Sequence, residues 1–95
     1  MFYVYVLKSP VHGQIYIGYT ADLRTRFKAH QEREGRRGWV LVYYEAYRNE
    51  KDARKRERML KHYGSALASL KERMADSLKL PEDGIGGGSS EPKSP

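Results

Sequence analysis

The carboxylate that most needs explaining is Glu57. It follows Ala53 by four residues and precedes Leu60 by three, so helical spacing puts it on the apolar stripe of its helix. A charge taken out of water must be compensated by a cation, a metal or several donors. Glu57 therefore either holds a divalent ion or pairs with a nearby base such as Arg54 or Lys61. Two phenols, Tyr5 and Tyr16, fall on adjoining strands of a predicted hairpin. If they share a face, a phenol near a cation can donate a hydrogen bond, act as a general base or touch a phosphate. Against that, tyrosine also suits any half-buried strand, and this chain has eight tyrosines in 95 residues. The third element is Arg26 with His30, four residues apart on one helix flank. Arginine grips phosphate in bidentate fashion and stabilises charge on its oxygens, while a histidine one turn later accepts a proton or positions water. The plain alternative is a solvated flank. His12 and His62 read as loop and surface residues.

The elements that must position these groups follow from pattern. Phe2 to Leu7 and Gln14 to Tyr19 are β-branched and aromatic runs, separated by the turn-formers Ser9, Pro10, His12 and Gly13. Alternation puts Tyr3, Tyr5 and Leu7 on one face of the first strand, and Phe2, Val4 and Val6 on the other. In the second strand Tyr16 and Gly18 share a face opposite Ile15 and Ile17. Both faces are apolar enough to predict a sheet covered on both sides. Thr20 is the expected N-cap of a helix from Ala21 to Glu32, with Asp22 in its first turn and Leu23 and Phe27 as its buried stripe. Glu34 to Gly38 reads as a loop, and Trp39 to Tyr47 as the third strand. Asn49 should cap a helix from Glu50 to His62, with Gly64 ending it. Its inward stripe is Ala53, Arg56 or Glu57, and Leu60, with Met59 and Tyr63 alongside. Leu67, Leu70, Met74 and Leu78 predict a last helix from Ser65 to Leu78. The fold class is α/β (α+β): a small three-stranded antiparallel sheet flanked by helices, in the order β-β-α-β-α-α. Residues 1–79 form the domain, and 80–95 are expected to be a disordered Gly/Ser/Pro tail.

Composition narrows the chemistry. Ninety-five residues suit one compact domain. The absence of cysteine removes disulfides, thiolate zinc sites and thiol nucleophiles, so any metal is held by oxygen or imidazole, which favours magnesium or manganese. No run of about 18 apolar residues is present and no basic region precedes Met-Phe-Tyr-Val-Tyr-Val, so neither a membrane span nor a secretory signal is expected, and the location expected is cytoplasmic. The net charge of +6 is uneven: the first 79 residues carry 17 basic and 9 acidic side chains. An excess of that size favours an anionic partner such as a nucleic-acid backbone.

The combination, taken in order, resembles a known family. Tyr16-Ile17-Gly18, with Tyr5 eleven residues earlier inside Tyr3-Val4-Tyr5, is similar to the paired motif that names the GIY-YIG nucleases. The likeness runs on through Tyr19-Thr20, Asp22-Leu23, Arg26 and His30, and resumes at Trp39 to Tyr47 and at the helix carrying Ala53, Glu57 and Leu60-Lys61. It covers residues 2 to 78 and looks closest to the small single-domain bacterial members. The resemblance implies phosphodiester hydrolysis with one divalent ion, Mg2+ or Mn2+. Tyr5 and Tyr16 match the motif tyrosines, Arg26 the motif arginine, Glu57 the metal-binding glutamate, and His30 a position that carries histidine or tyrosine. In that scheme Tyr5 or His30 helps activate water, the metal on Glu57 stabilises the leaving oxygen, and Arg26 steadies the phosphate. The first motif here lacks the family's glycine, and Ser69 stands where some members have an asparagine.

The leading expectation is a metal-dependent endonuclease, on DNA ahead of RNA. Arg24, Lys28, Arg36 and Arg37, with Tyr19 and Lys61, are the candidates for contact with the nucleic acid. The tail is too polar and glycine-rich to choose a site, so a partner protein or substrate shape would supply selectivity. The rival is a non-catalytic nucleic-acid-binding module, within a repair or restriction complex in one version.

Overall fold

The alternating aromatic and β-branched residues pair as three antiparallel strands. In the computed structural model, which describes residues 1–11, 13–33 and 36–80, β1 (Phe2–Lys8) lies between β2 (Ile15–Thr20) and β3 (Val40–Tyr47). Three helices follow the expected order: α1 (Leu23–Glu32) between β2 and β3, then α2 (Glu50–His62) and α3 (Gly64–Arg73). His12, Glu34 and the tail from 81 onward fall outside the described residues.

Register separates the sheet into two chemically different faces. Val4 stands opposite Tyr19 and Glu45, and Val6 opposite Ile17 and Tyr43, so these side chains share a face. There Val4, Val6 and Ile17 meet Ala53 and Leu60 of α2, Leu70 of α3, and Met74 just after it. Each fully buried aliphatic side chain contributes roughly 1.5–3 kcal/mol. Tyr5, with Gly18 and Tyr44 opposite it, belongs to the other face, together with Leu7 and Tyr16. Between Val6 and Leu7 the pairing with β3 slips by one residue, leaving Val42 as a bulge that packs onto the core.

A second link ties β3 to α2. The Arg56 guanidinium donates from Nε and Nη2 to the Glu45 carboxylate at 3.0–3.1 Å, and the Tyr43 and Tyr47 hydroxyls donate to the same carboxylate. Burial alone would raise the Glu45 pKa, but these donors outweigh it and hold the carboxyl below its usual range. Burial and the neighbouring carboxylate push the Tyr47 phenol up to about 12.

The structure departs from the sequence expectation at several points. Asp22, not Thr20, caps α1, accepting from the Thr25 N–H at 3.2 Å and its hydroxyl at 2.8 Å. Thr20 remains the last residue of β2, where its hydroxyl accepts from the Asp22 N–H. Gly64 opens α3 instead of closing α2; the α2 C-cap is Tyr63, which is exposed rather than alongside the inward stripe. The last helix ends at Arg73 and continues as turns. The sheet is also not covered throughout on its second face: Tyr44 stands exposed there. Asn49 does cap α2, accepting from the Lys51 N–H at 2.8 Å.

Leu60 is 1% exposed at the centre of the main core. Leu60→Ala should lower unfolding free energy by about 2–5 kcal/mol in urea titrations, the range for a large-to-small change that leaves a cavity.

Candidate functional site

Tyr5 lies on the central strand and is 2% exposed. Its ring leans over the backbone of Gly18 on β2: a Cβ at position 18 would overlap the phenol oxygen and Cζ. Glycine is therefore required by close approach and not by backbone angle. This places the hydroxyl toward β2, in reach of α1.

His30 meets it there. It is the buried residue of α1, 2% exposed, and its Nε2 lies 2.9 Å from the Tyr5 hydroxyl. The Tyr16 ring packs against the imidazole at 5.0 Å between centroids and against the Tyr5 ring at 6.2 Å. Arg36, in the segment after α1, closes the cluster with its guanidinium 4.2 Å over the Tyr16 ring and Nη1 3.5 Å from His30 Nδ1. Arginine has donors only. We therefore assign the lone pair of His30 to Nδ1 and the proton to Nε2, which then donates to the Tyr5 oxygen.

The electrostatics follow from that crowding. Burial foremost, then the Tyr16 phenol, raise the Tyr5 pKa well above its ordinary value; Arg26 opposes the rise and Glu57 adds to it. Burial, then the charges of Arg36, Arg26 and Arg33, lower the His30 pKa. At neutral pH the pair is a neutral phenol beside a neutral imidazole. Arg26 itself is exposed on α1.

Consecutive residues of α2 leave the helix in different directions. Arg56 turns to Glu45 of β3, while Glu57 is close enough to Tyr5 for its charge to act on the phenol. The Glu57 side chain is 21% exposed, and Lys61, one turn on, pairs with Oε2 at 3.0 Å. Of the two compensations raised by the sequence, pairing with a nearby base is present, through Lys61. Among the described residues no three His, Asp or Glu side chains form a metal cage. A single carboxylate open to solvent still suits magnesium, which keeps several waters and takes further oxygens from a substrate phosphate.

The remaining candidates scatter. Arg24, Lys28 and Arg37 are exposed. The Tyr19 hydroxyl donates to Glu50 at 2.9 Å, and the Arg54 guanidinium covers its ring at 4.3 Å. Ser69 lies apart from the Tyr5 cluster, lining a hollow of about 310 Å³ with Arg56 and Arg73. Sequence reasoning placed Arg36 with the backbone-binding residues and missed its contact with His30 and Tyr16, because no periodicity relates a loop residue to a helix. It also missed the Glu45–Arg56 pair, for which an acidic residue amid an apolar strand was the available signal. No helix among the described residues is long and apolar enough to cross a membrane.

Comparison with known proteins gives a consistent picture. Residues 1–71 match the family model described as the GIY-YIG catalytic domain. The UPF0213 proteins of Staphylococcus aureus strains Mu3, Mu50 and N315 are each 35% identical to this chain, over 75% of its length and 95% of theirs. No solved structure gives a significant match.

Two outcomes follow from the packing. Gly18→Ala should displace the Tyr5 ring and break its contact with His30, seen as loss of the His30 shift coupling in NMR spectra of the folded protein. Because the folded His30 pKa is lowered, the unfolded chain takes up the proton first. Stability should fall as pH drops below about 6.5 and level off once the folded pKa is passed. Urea titrations from about pH 7.5 to 5 should show that decline, and His30→Gln should flatten it.

Proposed function

The chain belongs to the GIY-YIG catalytic-domain family, a nuclease-type family, and from that premise we propose that it is an endonuclease hydrolysing nucleic-acid phosphodiester bonds, with DNA as the expected polymer. The observation that carries this reading is the buried Tyr5 hydroxyl held 2.9 Å from His30 Nε2 over Gly18, with Arg26 of α1 and Glu57 of α2 near enough for their charges to bear on it. On this reading Tyr5 would be the acid–base group, Arg26 the cation that grips phosphate and Glu57 the carboxylate, which are the parts that in-line displacement at phosphorus needs.

Glu57 would hold one divalent ion, magnesium or manganese, which when bound neutralises developing charge on the leaving oxygen. Lys61 occupies one Glu57 oxygen and would yield to that ion or help bind the adjoining phosphate. Arg26 would hold the attacked phosphate by its oxygens. Tyr5 would take the proton from the attacking water. Its raised pKa keeps it a phenol at rest, so the reactive phenolate is a minor form, stabilised by the His30 N–H and the Arg26 charge. Tyr16 fills the wall of the site and fixes the imidazole. Selectivity would rest on substrate shape or on a partner protein.

The Glu57–Lys61 pair also favours a second reading, in which the carboxylate is satisfied without metal and the domain only binds nucleic acid. Nicking of plasmid and branched DNA separates the two. Magnesium or manganese should support cleavage, chelator should stop it, and Glu57→Ala and Tyr5→Phe should each lose about 100-fold or more while retaining binding. With a base that works only when deprotonated, the rate should climb about tenfold per pH unit from pH 7 to 9. Binding without cleavage under every metal would leave the second reading standing.

A further inference from the structure

The face of the sheet that carries Tyr5 continues past the cluster onto β3. Tyr44 is the direct cross-strand partner of Tyr5, and it is 53% exposed. Tyr3, two residues before Tyr5 on the same face, packs edge-on against it, with centroids 5.9 Å apart and planes at 65°. α1 covers the Tyr5 and Tyr16 end of this face through His30, and the Tyr3–Tyr44 end is left open.

We propose that Tyr44, steadied by Tyr3, is a stacking platform for an unpaired nucleobase of the substrate strand, next to the phosphate that Tyr5 addresses. This rests on the nucleic-acid reading above and specifies the state of the substrate: the strand is single or locally opened at that point. An exposed aromatic ring has a π-face that any base can cover, and fixing the ring beforehand reduces the ordering cost of binding.

Three observations select a base over an apolar protein segment. Neighbouring strands lie about 4.8 Å apart and the Tyr5 ring leans over β2, so its hydroxyl stands roughly two strand spacings from Tyr44 across one sheet face. A nucleic-acid strand held at Tyr5 can run across that face to place a neighbouring base on Tyr44. The end of the face around His30 carries the Arg36 guanidinium, over the Tyr16 ring and beside the imidazole, so the same face that bears the platform offers a cation to the backbone. The acidic residue of β3, Glu45, falls on the opposite face with Val4, so no strand carboxylate of the described residues repels a phosphate here. In a continuous duplex the bases are stacked on each other and hidden from such a ring, which is why the platform implies an opened strand.

The test is fluorescence anisotropy with a labelled 12-nucleotide DNA strand, the same strand bearing a central run of abasic sites, and the fully paired duplex, all in chelator so that nothing is cut. Native protein should bind the base-bearing strand about tenfold or more tightly than the abasic one. Tyr44→Ala should remove that difference, and Tyr44→Phe and Tyr44→Trp should keep it, since the ring and not the hydroxyl stacks. Native protein that binds abasic and base-bearing strands equally overturns the proposal, whether or not any variant folds. So does a Tyr44→Ala loss of the same size on strand, abasic strand and duplex. Because every arm is read without cleavage, a domain that never cuts can still satisfy this test. A domain that cuts with metal yet ignores bases loses the platform alone.

Discussion

A phenol laid flat against a glycine organises this molecule. The Tyr5 ring occupies the space a Cβ at position 18 would fill, and so reaches from the central strand toward the sheet's edge. From there its hydroxyl meets an imidazole delivered by α1 and feels a carboxylate delivered by α2. Without that close approach His30 would lose the phenol oxygen that faces its Nε2. A buried imidazole needs partners, and here they are the Tyr5 oxygen on one side and the Arg36 guanidinium on the other.

That arrangement makes the acid–base pair depend on its basic surroundings. Burial and then three arginines depress the imidazole, while desolvation and the neighbouring phenol lift Tyr5. The two shifts run in opposite directions and have the same result: neither group is ionised at neutral pH. Any charge brought near them therefore meets a buried, uncharged hydrogen-bonded pair, where its influence is stronger than in water.

Much of this was legible in the sequence. Two-residue alternation gave the faces of β1 and β2 correctly, including Tyr5, Tyr16 and Gly18 together. The spacing of Ala53, Glu57 and Leu60 put a carboxylate on the buried stripe itself, whereas Glu57 is partly exposed and paired with Lys61, while Ala53 and Leu60 are buried. What could not be read were relations across elements. Whether Arg56 or Glu57 took the inward side depended on Glu45, a strand residue eleven positions away that claims the arginine. The N-cap of α1 was missed because Thr20 and Asp22 are both good cap residues, and the length of β2 decided between them. The bare end of the second face was hidden because tyrosine counts as apolar in a pattern whether or not a helix arrives to cover it.

The bond between Glu45 and Arg56 has a mechanical consequence. Successive side chains on a helix diverge by about 100°, so anchoring one residue sets the azimuth of the next. With the guanidinium of residue 56 locked in a fork of two oxygens on β3, α2 cannot roll about its own axis without breaking that fork. The helix is thereby indexed like a keyed shaft, and the heading of the carboxylate at 57 is determined on the far side of the sheet from the phenol it influences.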